Sequence, residues 1–277
     1  MKIKTQIPAL YEPLLSRKIL NFSLNETKAT CHNCAMAKPD LRRKTHYQAH
    51  LKCCTFTPFL PNYLVGAILD HNLPGAEVLK SRISKRWGIL PLGMVAPYSF
   101  QQEYIPAMKQ TVGVQGFGQR EDWLCPFYQK NSNDCGIWAF RNSTCSTFFC
   151  QSVEKKQGMQ FWKSMKDYLF LVETALLEEV LVMKDFSPRQ ISELLTWVTM
   201  DEDYQGPKKD FLTESLSRRL WNGYYDQQEK FFVDCYHMVH KIRRPELKQM
   251  LAQSLSVAEN QLHEVIDVLD EERKGSL

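Results

Sequence analysis

Nine cysteines carry the clearest chemical signal in the chain, and eight of them fall between residues 31 and 150. Cys31 and Cys34 form a C-x2-C pair; 18 residues further on come the adjacent Cys53 and Cys54. A two-residue gap lets the backbone turn so that both sulfurs can face one ion. The second group, Cys125, Cys135, Cys145 and Cys150, runs C-x9-C-x9-C-x4-C among Pro, Asn, Asp and Gly. Cysteines used as small core hydrophobes tend to sit singly in helices and strands, so this density needs another reason. Three readings compete: ligation of a metal or cluster, disulfides, and scattered buried thiols. A reducing compartment disfavours the second and the clustering disfavours the third. All eight cysteines are therefore candidate metal ligands, and Cys235 reads as a buried helix thiol.

Four thiolates suit tetrahedral zinc. They also suit a [4Fe–4S] cluster, and a cysteine followed by proline, as at Cys125-Pro126, tips the balance that way. Adjacent Cys53 and Cys54 turn their side chains apart in most backbones, so spacing does not divide the ligands between sites. His32, His46 and His50 read as polar loop residues or as groups bonded behind the ligands. Arg141 is a candidate cofactor-binding residue, donating to a cluster sulfur or a carboxylate, with a surface ion pair as the alternative. Asp134 fits a turn.

The run Cys125-Pro126-Phe127-Tyr128, Cys135-Gly136-Ile137-Trp138-Ala139-Phe140-Arg141, Cys145-Ser146-Thr147-Phe148-Phe149-Cys150 resembles the second half of the YkgJ-type CxxCxxCC family. Cys31, Cys34, Cys53 and Cys54 correspond to its first half, and the resemblance spans about residues 25–150. It implies zinc or iron chelation by the eight cysteines. The chain departs from the family in the long gap after Cys34, in Asn142 where proline follows the arginine, and in Ser146 where arginine is usual; the ligands stay intact. A weaker similarity to flagellin lysine N-methylases, which carry a comparable cysteine arrangement, implies a cluster-containing protein-modifying enzyme as the alternative. A zinc-stabilised protein-interaction module is the third.

The elements that must position these residues change texture near residue 150. Residues 1–150 hold most of the prolines and glycines, which predicts loops and short elements with a few helices. Beyond it, Phe161, Met165, Tyr168, Leu169, Val172 and Leu176 fall at helical spacing, predicting an amphipathic helix over about 158–184. Ser187-Pro188-Arg189-Gln190 reads as an N-cap with proline in the first turn, opening a helix through Trp197. Further helices are expected around Phe211–Trp221, Asp226–Ile242 and from Pro245 through Leu269. Trp221, Tyr224 and Tyr225 fit helix packing, and His237 and His240 read as a solvated or satisfied pair. The fold class expected is mainly α: a loop-rich cysteine-cluster domain over 1–150, packed on an all-α region over 151–277.

The formal charge of +4, from 35 basic and 31 acidic side chains, gives no strong field, so neither nucleic acid nor membrane is expected as a partner; a protein partner is left open. The basic stretch Lys38, Arg42, Arg43 and Lys44 reads as a solvated loop. Glu12 and Arg17 interrupt the N-terminus too early for a signal peptide, and nowhere do 18 apolar residues run together. The expected address is the cytoplasm. Gly113, Gly116 and Gly118 lack the strand and helix that a nucleotide loop needs, and read as a flexible lead into the second cysteine group. There is no P-loop, HExxH, nucleophile triad or radical-type C-x3-C-x2-C.

Overall fold

The computed structural model describes residues 1–26, 34–38, 46–109, 116–150, 152–198, 204 and 206–275. Cys31, His32, the basic residues Arg42, Arg43 and Lys44, and Gly113 lie outside them. The fold is mainly helical with a few two-residue strands, as the sequence predicts.

The first half is built around one short helix. After α1 (Arg17–Asn21), the chain enters strand β1 (Leu60–Pro61) and then α2 (Asn62–Asp70), whose residues from Asn62 to Leu69 are all buried. A helix apolar all round must sit inside, and α2 does, between a small sheet and a helix from the far end of the chain. The sheet is antiparallel with β1 beside β3 (Gly93–Met94), and β3 beside β2 (Ile89–Leu90). Leu60 and Ile89 both pair with Met94. Between them, α3 (Ala76–Lys85) exposes its basic face and buries Leu79 and Arg82; α4 (Tyr98–Met108) follows the sheet. A second hairpin pairs β4 (Tyr128–Gln129) with β5 (Asp134–Cys135), and α5 is a four-residue turn, Ser143–Ser146.

The second half supplies long helices. The periodic stretch forms α6 (Lys155–Met183), and the capping box at Ser187 and Gln190 opens α7 (Pro188–Leu195) with both reciprocal hydrogen bonds formed. Then come α8 (Glu214–Trp221), α9 (Gln228–Val239) and α10 (Arg244–Gly275), the last broken at Ala252, where φ is 43°. Leu255, Leu262 and Leu269, seven apart, with Ile266 beside them, form a narrow buried seam of α10 along α6. Glu259 lies in that seam, where it accepts from Tyr168 and pairs with Arg244 at 2.7 Å.

The expected boundary near residue 150 falls just before α6, but a single core runs across it, from Ile3 through α2 to Leu269. The closest tie is between α2 and α9. A Cβ on Gly66 would lie 1.8 Å from the Phe232 carbonyl oxygen, so the two backbones touch where only glycine fits. The first half thus shares one apolar core with the second. Among the described residues no helix is long and apolar enough to cross a membrane.

Gly66→Ala should therefore push α2 off α9 and lower the unfolding free energy by about 3 kcal/mol or more. Urea unfolding followed by tryptophan fluorescence measures it; a loss under about 1 kcal/mol would show that the helices separate without strain.

Candidate functional site

The seven described cysteines of the first half come from five stretches of chain. Cys34 precedes a 3-10 turn over Ala35–Ala37, and Cys53 and Cys54 follow a turn in which Lys52 takes the left-handed conformation, φ 57°. The backbone N–H of Cys125 donates to the carbonyl of Cys54 at 2.7 Å, lashing the two sequence groups together. Cys135 lies in β5, opposite Tyr128. Cys145 sits in α5, where the Asn142 side chain caps its N–H at 3.0 Å. Cys150 is exposed, the other six are half-buried, and Cys235 is fully buried in α9, as its position predicts.

Electrostatics shows who faces whom. Burial pushes up the Cys125 thiol, and Cys145 and Cys135 push it further. Cys145 is raised to about 12 by burial, then by Cys135, with Cys53 adding to it. A hydrogen bond from its neighbour Cys54, followed by burial, holds Cys53 well above the usual thiol range. The Tyr47 phenol is raised by burial and then by Cys150, Cys53 and Cys34. Two overlapping sets result: Cys53, Cys125, Cys135 and Cys145 on one side, and Cys34, Cys53 and Cys150 around Tyr47 on the other. The two groups that look separate in sequence are mixed in space. Their sulfurs are neighbours without being at ligation distance: among the described residues no three His, Cys, Asp or Glu side chains stand close enough to hold a metal ion. The donors are of the kind a thiophilic metal takes, and ligation would require the side chains to close inward from where they stand.

The segments that carry these cysteines are pinned by groups with no obvious sequence signature. Gly118, at φ 75°, packs its Cα against the Tyr47 ring, where a Cβ would meet Cδ1 at 2.1 Å; its N–H donates to Thr55 Oγ1 at 2.6 Å. Gln48 N–H donates to the Gly118 carbonyl at 2.8 Å. The described glycines of the 113–118 run therefore fix the loop beside Cys53 and Cys54, where sequence suggested a flexible lead. Lys52 reaches across to the hairpin that carries Cys135, donating to Asn133 O at 3.0 Å. His46 and His50 are exposed, and the His46 carbonyl accepts from Gln119 Nε2 at 3.0 Å. Lys38 is exposed, as expected of a solvated loop.

Arg141 is a strut. It is 6% exposed, with donors directed to the carbonyls of Trp138 at 3.2 Å, Cys145 at 3.2 Å and Gln6 at 3.1 Å, and its guanidinium lies 3.4 Å over the Trp138 ring. Its positive charge favours the thiolate of Cys145. These contacts place it inside the fold, away from the surface ion pair that was the alternative. At the other face, His237 stands exposed 3.4 Å from Asp70 and His240 is exposed beside the Tyr236 ring, in keeping with a solvated or satisfied pair, while His71 bonds to Tyr236 at 3.0 Å across the α2–α9 contact. Trp221 is fully buried against Phe231 and Phe232, and Tyr225 lies under Arg218, in keeping with helix packing.

One functional candidate escaped sequence reasoning altogether. Glu173 lies on the buried stripe of α6, between Val172 and Leu176, and is 2% exposed. Its carboxylate accepts from Ser143 N and Ser143 Oγ, both at 2.6 Å, and from Tyr11 OH at 2.9 Å. It thereby holds the start of α5, two residues before Cys145. An acid among apolar residues at helical spacing was the available signal. Burial raises its carboxyl to about 7, against the lowering effect of its three hydrogen bonds. Tyr11, Tyr63 and Cys145 are the titratable groups that face it.

Because the folded carboxyl holds its proton more tightly than the unfolded one, Glu173 favours the fold below about pH 4.5 and progressively less as pH rises toward 7. Glu173→Gln removes that dependence. At pH 5 the variant and the parent should unfold at similar urea concentrations, and at pH 8 the parent should be the weaker of the two. A parent that gains on the variant between these pH values would mean that the hydrogen bonds outweigh burial. Comparison of the chain with family models, curated proteins and solved structures finds no match, so what the site does rests on its own chemistry.

Proposed function

We propose that this protein binds a metal through cysteine thiolates, as an iron–sulfur cluster of the [4Fe–4S] kind or as zinc, in a structural or redox role of the YkgJ-like type. One observation carries the reading: thiols from the stretches around residues 53, 125, 135 and 145 influence one another at a point where Cys125 N–H is bonded to Cys54 O. Cys53 and Cys125, together with Cys145, are unbridged. Packing unbridged thiols from distant stretches into one buried place raises the cost of ionising each, and a bound cation reverses that cost.

On this reading Cys53, Cys125, Cys135 and Cys145 are the first ligand set, with Cys54 close behind. Cys34 and Cys150 belong to a second set near Tyr47, to which Cys31 is assigned by sequence. Arg141 holds the carbonyl of Cys145 and so orients a ligand from behind. Ligation requires deprotonation, so loading releases protons and weakens as pH falls. Thiolates kept unbridged imply a reducing compartment, the cytoplasm.

Counting metal and acid-labile sulfide per chain in protein purified without oxygen or chelators tests the proposal. An iron–sulfur form is brown and bleaches on reduction; a zinc form is colourless. Cys145→Ser should lower the metal content by at least about half, while Cys235→Ala, deep in α9, should leave it unchanged. Equal loss in both variants, or a parent that is folded and free of metal, would overturn the reading.

A further inference from the structure

Away from the cysteines, the chain over 207–212 is strapped to the small sheet on one side and to α4 on the other. Beside the sheet, Leu212 N–H donates to Arg86 O at 3.1 Å, and Arg86 Nε donates to Leu212 O at 3.2 Å. At α4, Asp210 accepts from Ser99 N–H at 2.8 Å and from the Ser99 hydroxyl at 2.7 Å. Between these straps a cavity is left, walled in part by Trp197 just past α7, with about 340 Å3 of atom-free space that opens to solvent. That is the size of a small-ligand pocket. Among the described residues no cysteine lines it.

Its walls suit a flat ring that carries a negative group. Tyr98 and Tyr204 lie in the wall with ring centres 6.1 Å apart and 32° between their planes. Trp197 is 5% exposed and its Nε1 is buried, yet among the described residues nothing accepts from it. A buried indole N–H ordinarily finds an acceptor, and one left without costs free energy. Arg82 repeats the pattern behind the wall. Its Nε is buried without a partner, and its Nη1 lies 3.4 Å from where a Cβ on Gly88, a wall residue, would stand. Asp210 is the acid of the wall and acts on Arg82, but both its oxygens already accept from Ser99. Lys209 adds a second cation to the wall, so the balance around the cavity is positive.

We propose that this cavity binds a small planar aromatic carboxylate. The ring lies against Tyr98 and Tyr204, the carboxylate accepts from Trp197 Nε1, and Lys209 and Arg82 balance its charge. The site is separate from the thiols and does not depend on their binding a metal.

Benzoate is the probe, with benzyl alcohol as a flat ring without charge and cyclohexanecarboxylate as a charge without a flat ring. In the isotope-labelled full chain each tryptophan gives one indole N–H signal, and Trp197→Phe identifies the Trp197 signal by its loss. Benzoate should move that signal saturably in the parent, and both controls should bind about tenfold more weakly or worse. Lys209→Met, at an exposed position, should weaken benzoate about threefold and leave benzyl alcohol unchanged. Trp197→Phe, followed by the rise in unfolding midpoint that benzoate causes, should lose about tenfold in affinity. The proposal is overturned if the Trp197 signal stays still or moves without saturating, if either control binds as tightly as benzoate, or if Lys209→Met weakens benzoate and benzyl alcohol alike. A Trp197 N–H that exchanges with water and ignores benzoate would mean a cavity filled by water only, and overturns it too.

Discussion

The backbone-to-backbone contact of α2 and α9 at Gly66 is the constraint from which the rest of the arrangement follows. It draws a helix from the first quarter of the chain against one from the last, and closes a single core around both. With α2 fixed, β1 and the sheet are fixed at its start, and Phe59 is held beside them. Asn142 then reaches back, its Nδ2 donating to the Phe59 carbonyl at 2.9 Å, and caps α5 with its Oδ1, so the position of Cys145 is referred to the core through two hydrogen bonds. Glu173 supplies a third attachment from α6. The cysteines sit on irregular chain, but that chain is tied at several points to rigid helices.

Two kinds of energy meet at the thiol neighbourhood. Apolar burial stabilises the core without any ion, and it does so in both halves. The irregular chain around the cysteines buries Leu51, Phe127, Ile137 and Phe149, and is tied further by hydrogen bonds between segments: Cys125 to Cys54, Gly118 to Thr55, Gln48 to Gly118. Each contributes about 1 kcal/mol net, which is modest against the entropy of ordering the loops that carry them. A metal centre would therefore stabilise this face locally while the core stands without it. That division is the reverse of a small zinc finger, where the ion and the core are inseparable.

The helices of the second half were legible because each carries redundant local signals. Apolar residues at three- and four-residue spacing and a Ser-Pro-x-Gln start point the same way, and local and global preferences agree. The site was legible only as an inventory. Spacing marked the cysteines as unusual but could not show that Cys53 faces Cys145, because that depends on the Cys54–Cys125 bond and on the path of some seventy intervening residues. Glu173 was hidden by its surroundings: as one acid in a 29-residue amphipathic helix it looks like ordinary surface charge until its neighbours are known. Gly66 gave no signal either, since a glycine within an apolar helix reads as a mild weakness and its use appears only when Phe232 is opposite.

Charge gives the site its direction. Thiols crowded together resist ionisation, as the raised Cys53, Cys125 and Cys145 show, and by themselves they would prefer uncharged surroundings. Arg141 is the buried cation whose charge favours the Cys145 thiolate, and three backbone carbonyls hold its guanidinium in place, so that influence is built into the fold. On the proposed reading a bound metal would supply the rest of what ionising several adjacent thiols costs.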